Sequence, residues 1–144
     1  MRIDFSKYQA TGNDFIIIDN RSGAYDYLLS KQIKFLCDRR FGVGADGLML
    51  LNNHIEYDFE MKYYNADGHE GTMCGNGARC LVKFANGTGL IRKNYTFLAV
   101  DGMYNASIEN NGTISVRMHD VEKVEYHNGH YILNTGSPHF VCLT

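Results

Sequence analysis

The sequence predicts an α+β domain, a strongly curved sheet of short strands with a helix held inside its curve. Three observations predict it. Short runs of alternating apolar residues, separated by glycine-containing turns, recur along most of the chain. Only two segments carry helical periodicity. The second of these is apolar around nearly its whole circumference, and such a helix must be surrounded by protein. With 144 residues the chain fits one domain and can bury a sizeable core.

The elements follow in order. RIDFSKYQA and DFIIIDN read as strands joined by the turn TGN. A helix comes next, with Ser30 as its cap, and Ile33, Leu36, Cys37 and Arg40 on one face, Arg40 near its end. GLMLL and EYDFEMKYYN are strands, the latter alternating Tyr57, Phe59, Met61 and Tyr63. The second helix runs from Gly75 to Ala85 and stops at Asn86-Gly87. Ala78, Cys80, Leu81, Val82, Phe84 and Ala85 cover it, leaving Arg79 and Lys83 as the charges in its middle. Beyond it the pattern is β: YTFLAV, MYNASIE, TISVRMHD, VEKVEYH, HYILN and HFVCL, with turns at Asp101-Gly102, Asn111-Gly112 and Asn128-Gly129. Pro138, the single proline, marks a loop.

Composition narrows the function classes. Apolar residues are 44% and charged residues 21%, as in a soluble globular protein. The net charge of −2, with no basic stripe, argues against nucleic acid or an anionic membrane as the partner. FIII and LMLL are far too short to span a bilayer, and the N-terminus lacks a secretory pattern, so a cytoplasmic location is expected. Five Asn-x-Ser/Thr sequons, at Asn20, Asn86, Asn94, Asn105 and Asn111, are attributed to chance in a chain with thirteen asparagines. Cys37, Cys74, Cys80 and Cys142 form no CxxC pair, so neither a disulfide framework nor a zinc site is expected. His127 and His130 flank Asn128-Gly129, the commonest hairpin turn, and are read as hairpin ends; no metal is expected.

Chemistry concentrates in NADGHEGTMCGNGARC, residues 65–80. Cys74 stands where a helix begins. First-turn amides are unpaired and, with the helix dipole, favour negative charge. A cysteine there gains thiolate character and can serve as a base or nucleophile. Gly75 and Gly77 let another molecule approach the backbone, whose amides could hold a carboxylate. Local spacing is equally compatible with Cys74 as a small buried hydrophobe. Cys80, Cys37 and Cys142 are expected to be packing residues. Asn13 and Asn65, each in a glycine-containing turn at a strand end, could bind a substrate's carboxylate and ammonium, or simply form those turns. His139 in TGSPHF is either a partner for a thiol or an exposed loop residue. Gly42, Gly44 and Gly47 in FGVGADG have dinucleotide-fingerprint spacing, but they follow a helix and lead into a strand, so they are turn formers. NADG lacks the further ligands of a calcium loop.

Together FSKYQATGNDFIIID, RRFGVGADGLMLL, YYNADGHEGTMCGNGARC and TGSPHFV resemble, in order, the N-terminal half of the diaminopimelate epimerase family, over essentially the whole chain. The resemblance implies a curved mixed, mainly antiparallel sheet wrapped around a central helix, one of two similar domains holding substrate between them. It implies a cofactor-independent isomerase that interconverts LL- and meso-diaminopimelate by two-thiol proton transfer, for lysine and cell-wall synthesis. By motif, Cys74 resembles the catalytic thiol of the first domain and His139 the histidine that assists it. Asn13, Asn65, Gly75 and Asn76 resemble the substrate-binding residues. Some members carry a substrate-contacting glutamine where this chain has Gly47, and an asparagine where it has Ser137. The second catalytic cysteine belongs to a C-terminal half that these residues do not match, so residues 1–144 are expected to be a single N-terminal domain, inactive alone. The partner expected is a small amino acid, and a homodimer of the full-length protein is compatible with the resemblance. The alternatives are a related racemase or isomerase acting on another substrate, a non-catalytic half-domain that pairs with a partner chain, and a Cys-His hydrolase using Cys74 and His139.

Overall fold

The computed structural model describes residues 2–144. Its strands are β1 (Ser6–Ala10), β2 (Asn13–Asp19), β3 (Gly47–Asn52), β4 (Phe59–Asn65), β5 (Asn94–Ala99), β6 (Gly102–Ile108), β7 (Ile114–Arg117), β8 (Val124–His127), β9 (His130–Asn134) and β10 (Pro138–Cys142). The helices are α1 (Ser30–Cys37) and α2 (Gly75–Gly87). Strands β1 to β7 form one sheet in chain order, and β8, β9 and β10 form a second. In the large sheet β2/β3 and β4/β5 are parallel and the other four pairs antiparallel, so the sheet is mixed and mainly antiparallel. Each parallel pair is bridged by a helix, as a parallel connection requires.

The two helices take opposite faces of the sheet. On β2 and β3, Phe15, Ile17, Met49 and Leu51 point toward α2, while Ile16, Ile18, Leu48 and Leu50 point toward Ile33 and Cys37 of α1. Burial on both faces explains why FIII and LMLL are continuous apolar runs rather than alternating ones. Farther along the sheet, α1 no longer covers the outer face and alternation returns: Tyr95, Phe97 and Ala99 point inward from β5. The edge strands β1 and β7 both touch α2, so the sheet curls around that helix. Gly77, Ala78, Cys80, Leu81, Val82, Phe84 and Ala85 are all buried there. A row of rings ties the inner surface together. Phe59 stacks on its cross-strand partner Phe97 at 5.0 Å, Phe97 on Tyr104 at 5.8 Å, and Tyr104 on His119 at 4.1 Å.

Several boundaries differ from expectation. The first strand starts at Ser6 rather than Arg2, because pairing with β2 runs only from Ser6↔Ile17 to Ala10↔Asn13. Leu29, not Ser30, caps α1, since the Gln32 side chain accepts the Leu29 N–H at 2.7 Å. Arg40 lies beyond that helix. The Asp38 carboxylate accepts the Arg40 and Phe41 amides at 2.8 Å each and turns the chain, while the Val43 and Gly44 amides close on the Leu36 carbonyl. Tyr57 precedes β4. Pro138 is not in a loop but opens edge strand β10, a position where its missing N–H is tolerated. Asn128 and Gly129, with φ of 47° and 85°, form the hairpin turn that carries His127 opposite His130. Asn20 is buried and bonded to Asp26 and Asn52, so its sequon is structural. No helix among the described residues is long and apolar enough to cross a membrane.

The ring row makes a direct prediction. Phe97 is fully buried between Phe59 and Tyr104, so Phe97→Ala is expected to cost about 3–5 kcal/mol. Urea unfolding followed by far-ultraviolet circular dichroism measures it, and a loss below about 1 kcal/mol would mean the row is not what closes the curve.

Candidate active site

Cys74 is the residue from which α2 starts, with φ −121° and ψ 109°. Its position is fixed by the close approach of helix to sheet. At Gly77, one turn in, a Cβ would come 1.7 Å from the Met49 methyl and 3.5 Å from the Phe15 ring, so a side chain there would have to displace the end of Met49 for the first turn to rest on β2 and β3. The first intrahelical bond runs from the Ala78 amide to the Cys74 carbonyl at 2.8 Å. The Gly77 amide instead donates to Cys74 Sγ at 3.4 Å, which makes the sulfur the helix cap. That arrangement leaves the Gly75 and Asn76 amides available to a ligand.

The sulfur is half-buried, not interior, and faces a cleft of about 520 Å³. Asn65, Gly75, Asn76, Arg79 and His139 line the same cleft, with Tyr63 and Met118. Asn13 enters through its side chain: its Oδ1 lies 3.7 Å from Sγ and accepts from Asn76 Nδ2 at 3.4 Å. Cys74 Sγ therefore sits between an N–H that can donate to a thiolate and a carbonyl oxygen that can accept from a thiol. Both protonation states have a partner.

Asn65 ends β4 and is exposed; its backbone closes the turn that returns as Gly71, whose amide bonds the Tyr63 carbonyl at 2.9 Å. His139 reaches the cleft from the second sheet. There the bend at 135–137 docks beside the Cys74 segment: Ser137 Oγ donates to the Met73 carbonyl at 3.2 Å and also contacts Thr72 Oγ1. His139 Nε2 pairs with Thr135 Oγ1 at 2.8 Å, so the imidazole is oriented by its own strand's turn. All six residues singled out in the sequence thus gather at one place, five lining the cleft and Asn13 bonded to its thiol. Gly47, by contrast, is buried at the start of β3, where a Cβ would lie 2.5 Å from both the Tyr63 ring and the Tyr64 carbonyl.

Charged groups that no sequence motif singles out stand behind the cleft. Asp46 accepts from Asn13 Nδ2 at 2.8 Å. Arg39 bridges Asp46 at 2.9 Å and Asp14 at 2.7 Å, and Lys7 joins Asp14 at 2.7 Å. The Arg39 guanidinium holds the Asp14 carboxyl far below the usual carboxylate range. The Asn13 amide, with Arg39, lowers that of Asp46. On the other side Arg79 donates to Asn76 Oδ1. The signal was present, since Asp46 lies in FGVGADG and Arg39 just before it, but single charges in turns carry no spacing rule.

The other thiols differ sharply. Burial pushes Cys37 and Cys80 up to about 11, which makes them packing residues as expected. Cys142 is not packed: it ends β10 in an exposed position. In a Cys142→Ser background, iodoacetamide near neutral pH is therefore expected to label Cys74 alone in folded protein, read by peptide mass. Labelling of Cys37 or Cys80 ahead of Cys74 would remove Cys74 as the reactive thiol.

Comparison with known proteins gives a consistent result. The family model described as diaminopimelate epimerase matches residues 5–124. A diaminopimelate epimerase of Flavobacterium psychrophilum is 54% identical over 135 residues, 94% of this chain and 53% of that protein. One of Chlorobaculum tepidum is 44% identical over 141 residues, 91% of this chain and 53% of that protein. The chain thus spans about half the length of these curated relatives. Among solved structures, a Bacillus anthracis phenazine biosynthesis protein of the PhzF family superposes with TM-score 0.66 at 14% identity, covering 96% of this chain and 53% of that one. A methylitaconate-delta-isomerase superposes with TM-score 0.58 at 14% identity, covering 92% and 41%. These likenesses concern the fold.

Proposed function

The chain belongs to the diaminopimelate epimerase family, and on that premise we propose that it supplies one of two thiols that interconvert LL- and meso-diaminopimelate. The observation that carries this reading is the environment of Cys74 Sγ, which faces a cleft with a donor on one side and an acceptor on the other. Inversion at a carbon needs a base on one face and an acid on the other. As thiolate, Cys74 removes the α-hydrogen as a proton and leaves the electron pair on carbon, delocalised into the carboxylate. A second thiol, outside residues 1–144, returns a proton to the opposite face, and the two thiols exchange protonation states. In the reverse direction Cys74 is the acid. No redox change or cofactor enters this scheme.

The negative charge that builds on the carboxylate needs fixed donors in a site closed to water. The free amides of Gly75 and Asn76 at the positive end of α2 suit that task, supported by the helix dipole. Asn13, Asn76 and Asn65 offer the polar contacts for an amino acid's carboxylate and ammonium. His139, held by Thr135 in the same cleft, is the titratable group available to assist the thiol. The pathway role in lysine and cell-wall synthesis, and a cytoplasmic location, belong to the same proposal.

A protein of these 144 residues alone is expected to give no inversion, because the cleft is open and holds one thiol. Joined to a C-terminal half taken from a relative such as that of Flavobacterium psychrophilum, it should exchange the substrate α-hydrogen for solvent deuterium with inversion, followed by NMR. Cys74→Ala should then reduce the rate by about a hundred-fold or more. Robust inversion by the 144-residue chain, abolished by Cys74→Ala, would sink the two-half reading. In the joined protein Asn65→Ala should lower kcat/KM with an unchanged melting temperature; a large drop in melting temperature with unchanged kinetics makes Asn65 a turn residue only.

A further inference from the structure

The two asparagine amides beside the thiol are turned in definite directions, and charged residues turn them. Asp46 is a carboxylate at neutral pH, so it can only accept. The atom of Asn13 that faces it at 2.8 Å must be the NH₂ group. Asn13 Oδ1 is thereby directed at Cys74 Sγ and at Asn76 Nδ2. Arg79 does the converse for Asn76: as a donor-only group on Oδ1 it points the Asn76 NH₂ toward Asn13. Behind Asp46, Arg39 and the Asp14 backbone amide, the latter at 3.2 Å, keep the carboxylate in place.

We propose that Asp46 is a positioning residue that fixes the Asn13 amide with its oxygen toward Cys74 and so maintains the proton affinity of the thiol. The proposal rests on the reading of Cys74 as a proton-transfer group. A group that must act as acid as well as base cannot be a permanent thiolate. At a helix N-terminus, with the Gly77 N–H on the sulfur, the backbone pulls toward thiolate. A carbonyl oxygen on the other side favours the thiol and counters that pull. Were the Asn13 amide free to rotate, its N–H would find the sulfur and both neighbours would favour thiolate. The other titratable or charged groups around the sulfur are Tyr63 from β4, Arg79 and Cys80 from α2, and His139 from β10. Burial pushes Tyr63 up to about 12, so it is neutral near pH 7.

The test is a double-mutant cycle read by the pH dependence of iodoacetamide alkylation at Cys74, all proteins carrying Cys142→Ser. It requires no substrate, so its outcome is independent of whether the protein epimerises diaminopimelate. Asp46→Ala is expected to lower the midpoint by about one pH unit, because the Asn13 amide loses its acceptor and keeps only the longer 3.4 Å contact from Asn76, which lets it turn. In an Asn13→Ala background the same change should move the midpoint by less than about 0.3 unit, since no amide remains to turn. Equal shifts in both backgrounds would mean the carboxylate acts on the sulfur through space, and no shift in either would mean it does not act at all; each overturns the proposal. A second measurement needs no variant. The Asn13 side-chain NH₂ of the unmutated chain should show one proton displaced downfield and slow to exchange with solvent, and a fast-exchanging, undisplaced NH₂ overturns the assignment.

Discussion

Everything in this domain depends on one helix that buries the greater part of its circumference. Seven of the residues of α2 are buried, on a face broad enough that only a strip with Arg79 half-buried and Lys83 exposed is left, so the sheet has to close around the helix rather than lie flat against it. The curl from β1 to β7 is the geometric consequence. A buried helix still has two ends. At one of them Thr88 closes on the carbonyls of Phe84 and Ala85, with its amide and hydroxyl both engaged. At the other end the unpaired amides are left for something else. The same burial that holds the fold together therefore delivers an anion-favouring helix end to the rim of the sheet, with Cys74 at its threshold.

The charged residues of the site are arranged around that end rather than in it. Arg39, Asp14, Lys7 and Asp46 lie on the side of β1 and β2, and Arg79 lies on the helix. Between them stand two neutral amides, Asn13 and Asn76, each oriented by an ion it touches. Neutral groups in direct contact with the sulfur, backed by ions one bond farther away, let the thiol change charge without breaking an ion pair. A carboxylate or guanidinium placed directly on the sulfur would have fixed its state.

Much of this was legible in the sequence because it depends on periodicity and on turn chemistry. The apolar circumference of α2 announced the central helix, and DFIIIDN and GLMLL announced strands, though not that both their faces are covered. Gly75 announced a helix end open to a ligand, whereas Gly77 serves the packing of that end on β2 and β3. What was not legible depends on side chains meeting across the fold. Nothing in the sequence ranks Asp46 above other aspartates, because its partner Asn13 is 33 positions away. Ser30 looked like a cap and lost the role to Leu29 because Gln32 reaches back to the Leu29 amide. Pro138 looked like a loop and begins a strand because an edge position does not need its N–H. Cys142 looked like packing, but its strand covers no core.

The second sheet gives the cleft an uneven rigidity. β2 and β3 are sealed between two helices, so their amides belong to the part of the molecule that opens only with global unfolding. β10 is exposed along its entire length and is tied to the first sheet near the thiol by the Ser137 hydroxyl. The wall that carries Cys74 and the wall that carries His139 therefore have different opening free energies. One side of the cleft thus rests on a core packed on both faces, and the other on the bend at 135–137, where Gly136 lies against Tyr104 and Met73 and Ser137 bonds the Met73 carbonyl.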